Sequence, residues 1–280
     1  MTTETDHEQT KAEITTPEET TPETTPESAQ EAHEAHEAKE DHEAREEEDK
    51  PLFQAIGIIP GEVSFDEEGF ASVKVADQTY PLFYTPRLRR AFQALKLEIK
   101  NTGESTQRLI VYPKAIHFPQ RNKNHQLAFQ LVGFEKKQQT SNISNQLEDF
   151  EFQLCGLWQF IPVCRVPVVS ILRNFTDNRL DYIKSADPVQ KVRFMKAAHL
   201  PLLWKDSPVK PFRYNPKAEK DEQGRPAFVQ VKARFLPQRN VFGFSSLLAP
   251  PSEKAPRFLK ASKADKAAAQ KEKKTPKKVE

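Results

Sequence analysis

Glycine, cysteine and long apolar runs are scarce in this chain, and each scarcity excludes something. Eight glycines in 280 residues form no GxGxxG and no Walker-type loop, motifs that need backbone without a Cβ to approach a phosphate. Two cysteines, Cys155 and Cys164, are too few for a disulfide framework. Without paired His or Cys at ligand spacing they do not make a zinc site either. Two reduced thiols in a reducing compartment are the expectation, with a single Cys155–Cys164 bridge as the alternative. The first fifty residues hold no apolar run long enough for a signal peptide or a membrane span. A cytoplasmic protein with no membrane partner is therefore expected. Enzyme signals are also thin: the cysteines and His199 form no nucleophile signature, and the carboxylates of the body are scattered in loops. The chain is read as non-enzymatic, with no catalytic residues and no cofactor.

What is abundant is charge, and it is unevenly spread. The formal net charge is +2, yet residues 1–50 carry 18 Asp+Glu against 4 Lys+Arg. The remaining 230 residues carry 38 Lys+Arg against 22 Asp+Glu, of which 251–280 hold 10 and 4. An acidic tail thus precedes a basic body. TTPEETTPETTPESAQ cannot bury enough apolar surface to order itself. In EAHEAHEAKEDHEAREEE, alanine recurs every third residue without an apolar stripe. His33, His36 and His42 suggest a metal site there, but a solvated charged tract is the favoured reading. The expectation is a disordered acidic tail over 1–50, which either folds back over the body and competes with phosphate or only limits aggregation. A disordered lysine-rich tail is expected over 251–280, where KASKADKAAAQKEKKTPKK has the composition of segments that bind nucleic acid by counterion release.

Between the tails the pattern is mostly strand. FQAIGIIPGEVSF, ASVKVAD and QTYPLFYT read as three strands, the first bent at Pro60-Gly61 and the third marked as an edge by Pro81. Leu88, Phe92, Leu95 and Ile99 then fall on one helical face, closed by Asn101-Thr102-Gly103. RLIVYPKAIHF and QLAFQLVGF return to strand. Three strands, a helix and two strands is the element order of an OB-fold, a small five-stranded barrel. Residues 138–150 read as a linker. A second set follows: FEFQLCGLWQFIP and RVPVVSILRNF as strands, a helix through VQKVRFMKAAHL, short strands at PLLW and VKPFRYN, and a strand at AFVQVKARF. The fold class expected is mostly β with minor helix, as two tandem OB-like small barrels over 51–137 and 151–250.

An internal repeat supports the pairing of halves. FPQRN at 118–122 reappears as LPQRN at 236–240, and Phe53-Gln54-Ala55-Ile56-Gly57-Ile58 shares F-Q-x-x-G-apolar with Phe152-Gln153-Leu154-Cys155-Gly156-Leu157. In the first half PQRN would occupy the loop between strands four and five, one of two loops with which OB-folds hold ligands. A turn repeated because the fold repeats explains Pro and Asn equally well.

QRLIVYPKAIHFPQR, CGLWQFIPVCRVPVVSILRNF, HLPLLWKDSPVKPF and VKARFLPQRNVFGFSSLLAPP together resemble an uncharacterised family of cyanobacterial proteins across most of 51–262. The resemblance implies a bacterial cytoplasmic setting and brings no activity or site residues.

Single-strand binders need cations for phosphates and aromatic faces for bases. The candidates are Arg121, Lys123 and Arg239 in the PQRN loops, Arg213 beside Tyr214, and Tyr80, Tyr84, Trp158, Trp204 and Tyr214 as stacking faces with a polar handle. Arg239-Asn240-Val241-Phe242-Gly243-Phe244 is a weak match to an aromatic RNA-binding strand. The functional expectation is a single-stranded nucleic-acid binding protein, RNA ahead of DNA. A scaffold that binds another protein is the second reading, and nothing in the sequence sets an oligomeric state.

Overall fold

The computed structural model describes residues 51–120, 122–135, 146–219 and 221–274. The acidic tail, with His33, His36 and His42, and Arg121 lie outside them. Residues from Pro51 onward form one compact unit.

The first five strands are β1 (Gln54–Phe65), β2 (Ala71–Val75), β3 (Gln78–Phe83), β4 (Thr106–Ile116) and β5 (Gln126–Phe134), with helix α1 (Arg89–Thr102) between β3 and β4. β1 pairs with β2, β2 with β3, β3 in parallel with β5, β5 with β4 and β4 with β1. The ring is a closed five-stranded barrel. β1 serves two neighbours because it is long: Gly57–Glu62 face β4, and Glu62–Phe65 face β2. Pro60-Gly61 does not interrupt it. At Gly61 a Cβ would lie 2.6 Å from Val73 Cγ2 and 2.7 Å from the Lys74 carbonyl, so glycine is what lets β2 approach. Pro81 lies where β3 has β2 on one side and meets β5 only at Leu82–Phe83. In α1, Phe92 and Leu95 are buried, and Gly103 adopts φ 69° to return its N–H to the Ile99 carbonyl. That is the glycine-closed end the sequence predicts.

The second set comprises β6 (Glu151–Phe160), β7 (Val168–Ile171), the short β8 (Arg173–Asn174), helices α2 (Asp177–Ser185) and α3 (Pro188–Phe194), β9 (Ala198–Leu203), β10 (Phe212–Arg213), β11 (Phe228–Leu236) and β12 (Val241–Ser252). β6 pairs with β7, β7 with β9, β9 in parallel with β12, β12 with β11, and β11 with β6. The two sets join through β1 and β6, antiparallel, with Gln54 opposite Cys155, Ala55 opposite Leu154 and Gly57 opposite Phe152.

One aromatic cluster lies beneath this joint. Phe129 of the first set packs edge-on against Tyr80 and Phe235, and Phe235 in turn meets Phe152 and Phe242. The buried core is therefore continuous across both sets. Of the expected linker, 138–145 lie outside the described residues, and Leu147 belongs to the body, buried with Ile56, Ile58 and Ile110. Arg108 fixes this segment, donating to Asp149 Oδ1 at 2.6 Å, Glu135 Oε1 at 2.5 Å and the Leu147 carbonyl at 2.9 Å.

Two sequence expectations change here. Residues 251–274 are not a disordered tail: β12 runs to Ser252, β13 (Phe258–Leu259) pairs with β8, and helix α4 (Lys263–Lys274) packs along α3. Alanines make α4 compatible with close packing, and Ala269 is buried. Its N-terminus is capped by Ser262, whose Oγ donates to Asp265 Oδ2 and accepts from the Asp265 N–H. The second change is α2, which the sequence does not announce because DNRLDYIKS has almost no apolar stripe. Thr176 caps it, accepting from the Arg179 N–H, and AAHL opens β9 rather than ending a helix.

Candidate nucleic-acid interface

The PQRN segments occupy equivalent loops, between β4 and β5 and between β11 and β12, but they do not open outward together. In the second copy Pro237–Arg239 forms a single 3₁₀ turn ended by Asn240 in the left-handed region, φ 54°, a conformation asparagine tolerates. Asn240 then grips the first barrel. Tyr80 donates its hydroxyl to Asn240 Oδ1 at 2.8 Å and to the Pro237 carbonyl at 3.2 Å. His125 Nε2 bonds the Asn240 carbonyl at 2.5 Å, and His117 Nε2 the His199 carbonyl at 2.7 Å. Arg165 donates to Asn124 Oδ1. These loops hold the two strand sets to each other, which favours the repeated-turn reading of Pro and Asn.

The expected site residues therefore scatter. Tyr80 is 3 % exposed and Trp158 1 %, and neither can offer a face to a base, so both are corrected to core residues. Burial pushes the Tyr80 phenol up to about 12, and Trp158 donates its indole N–H to the Val209 carbonyl. Their polar handles satisfy internal partners. Trp204 lies flat on Phe244, 4.5 Å between centroids, and Phe242 is fully buried, so the 239–244 strand presents no stacking platform. Lys123 is exposed and holds its ammonium 4.0 Å over the Phe118 ring. Arg239 is exposed at the 3₁₀ turn. Arg213 lies 4.1 Å over Phe160, with Tyr214 beside it 65 % exposed. Tyr84 stacks on Phe92 and keeps its other face open. Just beyond it come Arg87, Arg89 and Arg90, at a helix start with no acidic residue in its first turn.

The structure joins part of the expected lysine-rich tail to a basic stretch that was not among the candidates. The α2–α3–α4 layer and its flanks, residues 173–200 and 253–274, carry 14 Lys+Arg against 6 Asp+Glu. A small apolar core of Met195, Leu259 and Ala261 holds it together with Leu180 and Phe194. Against this layer opens a cleft of about 310 Å³ lined by Phe53 and Gln54, Tyr112, Arg173 and Asn174, Arg179 and Lys196. The Asn174 amide clamps the start of β1, accepting from the Phe53 N–H at 2.8 Å and donating to the Phe53 carbonyl at 2.9 Å. Arg179 donates one Nη1 bond to the Asn174 carbonyl, and Arg173 an Nε bond to the Phe194 carbonyl. Partial burial and the charge of Arg179 hold the Arg173 guanidinium below its ordinary value. Among the described residues, no ion pair involves Arg173, Arg179 or Lys196. Arg173 and Arg179 are near in sequence, but Lys196 follows only after the whole of α3, so no local pattern could have shown that the three meet.

Elsewhere, Cys155 and Cys164 are both free and buried, and burial pushes the Cys164 thiol up to about 11. Such thiols are unreactive. Ser170 bonds His199 Nδ1 at 2.8 Å and accepts from Gln159 Nε2, but it is wholly enclosed. Among the described residues, no helix is long and apolar enough to cross a membrane. No protein-family model matches this chain, and no curated protein matches it.

Proposed function

We propose that this chain is a non-enzymatic, single-stranded nucleic-acid binding protein, RNA ahead of DNA, built on two tandem OB-like barrels. The strand order β1-β2-β3-β5-β4 with a parallel β3–β5 contact is the order OB barrels use, and the pairs of the second set recur in the same sequence. The observation that carries the reading is charge. The helical layer concentrates an excess of eight positive charges in fifty residues, beside a cleft without a described carboxylate partner. Such a surface attracts a phosphate backbone and releases its counterions. The cyanobacterial kinship and cytoplasmic setting suggested by the sequence belong to the same proposal.

A truncation at residue 250 would strip β13 and α4 from the body, so the test keeps the full chain. Fluorescence anisotropy with labelled single-stranded RNA and DNA of equal length is measured at several salt concentrations. Binding that weakens steeply with salt is expected, and the quadruple variant K191Q/R193Q/K263Q/K266Q should flatten that slope. Absence of binding to either strand at low salt rejects the reading.

One observation favours a protein-binding scaffold instead. β12 meets β9 only at Phe242–Gly243, and further along the strand Leu247 and Leu248 are 40 % and 42 % exposed. An apolar edge of this kind accepts a strand from a partner.

A further inference from the structure

We infer that the cleft framed by Arg173, Arg179 and Lys196 is a phosphate seat, built to hold a single phosphate group against the start of β1. The inference deepens the single-strand reading and rests on it for the polymer alone; the seat itself stands on the geometry below.

Three cations reach the cleft from three elements: β8, α2 and the turn between α3 and β9. A guanidinium has five N–H donors. Arg179 uses Nη1 for the Asn174 carbonyl, and Arg173 uses Nε for the Phe194 carbonyl while lying 4.7 Å over the Phe194 ring. Those bonds fix both side chains and leave their other donors unspent. Binding an anion therefore costs little further side-chain entropy, which is what preorganisation means energetically. Lys196 adds an ammonium with no described partner. Like charges crowded in a concave site repel, and an anion between them removes that repulsion.

Phosphate fits better than carboxylate on two grounds. Its oxygens point in several directions, so cations on different walls can each take one, whereas a carboxylate presents a planar pair. A phosphomonoester, at about −1.5 to −2, also offsets more of the three positive charges than a carboxylate does, whereas a phosphodiester gains only from its geometry. The cleft of about 310 Å³ is at the lower end of ligand pockets, roughly 300–1,000 Å³, and suits one nucleotide unit rather than a cofactor. Tyr112, 37 % exposed, and the Gln54 amide, without a described side-chain partner, also line the cleft. They give a sugar or base an aromatic face and a hydrogen-bonding group.

The phosphate could belong to an internal phosphodiester or to a free or terminal phosphomonoester, and the experiment separates these. Full-length protein is titrated with inorganic phosphate, followed by amide chemical shifts, and with a single-stranded RNA octamer carrying either a 5′-hydroxyl or a 5′-phosphate, followed by anisotropy. The proteins compared are wild type, K196Q, R179Q/K196Q, and K74Q/K100Q as an equal loss of two charges on β2 and α1. The seat is supported if R179Q/K196Q weakens phosphate and octamer binding about tenfold or more while K74Q/K100Q leaves them unchanged. Preference for the 5′-phosphate then assigns a terminal group, and equal affinity an internal one. Because Arg179 also bonds Asn174, K196Q alone guards against a folding artefact and should lose part of the affinity at unchanged Tm. Phosphate shifts that are absent in wild type, or identical in wild type and R179Q/K196Q, overturn the seat. Octamer binding untouched by R179Q/K196Q also overturns it and leaves the single-strand reading standing. Phosphate bound through these residues with no strand bound at all does the reverse.

Discussion

His199 lends its carbonyl to His117 and its ring to the enclosed Ser170, and burial favours the neutral form of that ring. Burial first, then the charges of His117, Lys196 and Lys260, lower it from 6.5 to about 4. The folded value lies below the unfolded one, so this contribution is complete above pH 6.5 and is lost as pH falls towards 4. The difference amounts to about 3 kcal/mol. Urea unfolding of wild type and His199→Gln between pH 7.5 and 4.5 should show the wild type losing more stability. Parallel pH profiles would refute the assignment. At this scale the sequence was a partial guide. Tyr and Trp were singled out for their polar handles, and the handles do find partners, but inside: Tyr80 at Asn240 and Trp158 at Val209. Composition cannot tell an aromatic with an internal acceptor from one awaiting a base.

Among the elements, β1 is the one asked to do most, since it pairs with β2, β4 and β6. Gly57 is the last of four residues that pair with β6, and a Cβ there would lie 2.2 Å from the Phe152 ring. Gly57→Ala should therefore displace a fully buried aromatic and cost about 1–3 kcal/mol, read as a lower midpoint in urea with an unchanged slope. A midpoint equal to wild type would show that the ring yields freely. The first five strands and α1 were readable because period two and period 3.6 alternate cleanly there and Gly103 marks the helix end. The second set was blurred where a polar cap, Thr176, starts α2 without an apolar stripe. α4 was hidden because a lysine-rich segment is apolar only at its alanines. Those alanines are what allow it to pack along α3.

At the scale of the molecule, the shared core matters most. Phe129, Tyr80, Phe235, Phe152 and Phe242 come from both strand sets and touch one another, so the two sets share one core. Calorimetry should give one transition with equal calorimetric and van't Hoff enthalpies; two resolved transitions would mean that the sets unfold independently. The repeat in the sequence foretold equivalent loops, but not that those loops would be spent on each other. That depends on distances no single chain segment encodes. The β1–β6 joint has another consequence. The two F-Q-x-x-G segments that resemble each other are also the two that lie antiparallel, with Ala55 across from Leu154. A joint made from matching edges does not distinguish its own chain from a neighbour's. A molecule that opens along it presents two adhesive ends, and at high concentration those ends lead to exchanged dimers or open-ended chains.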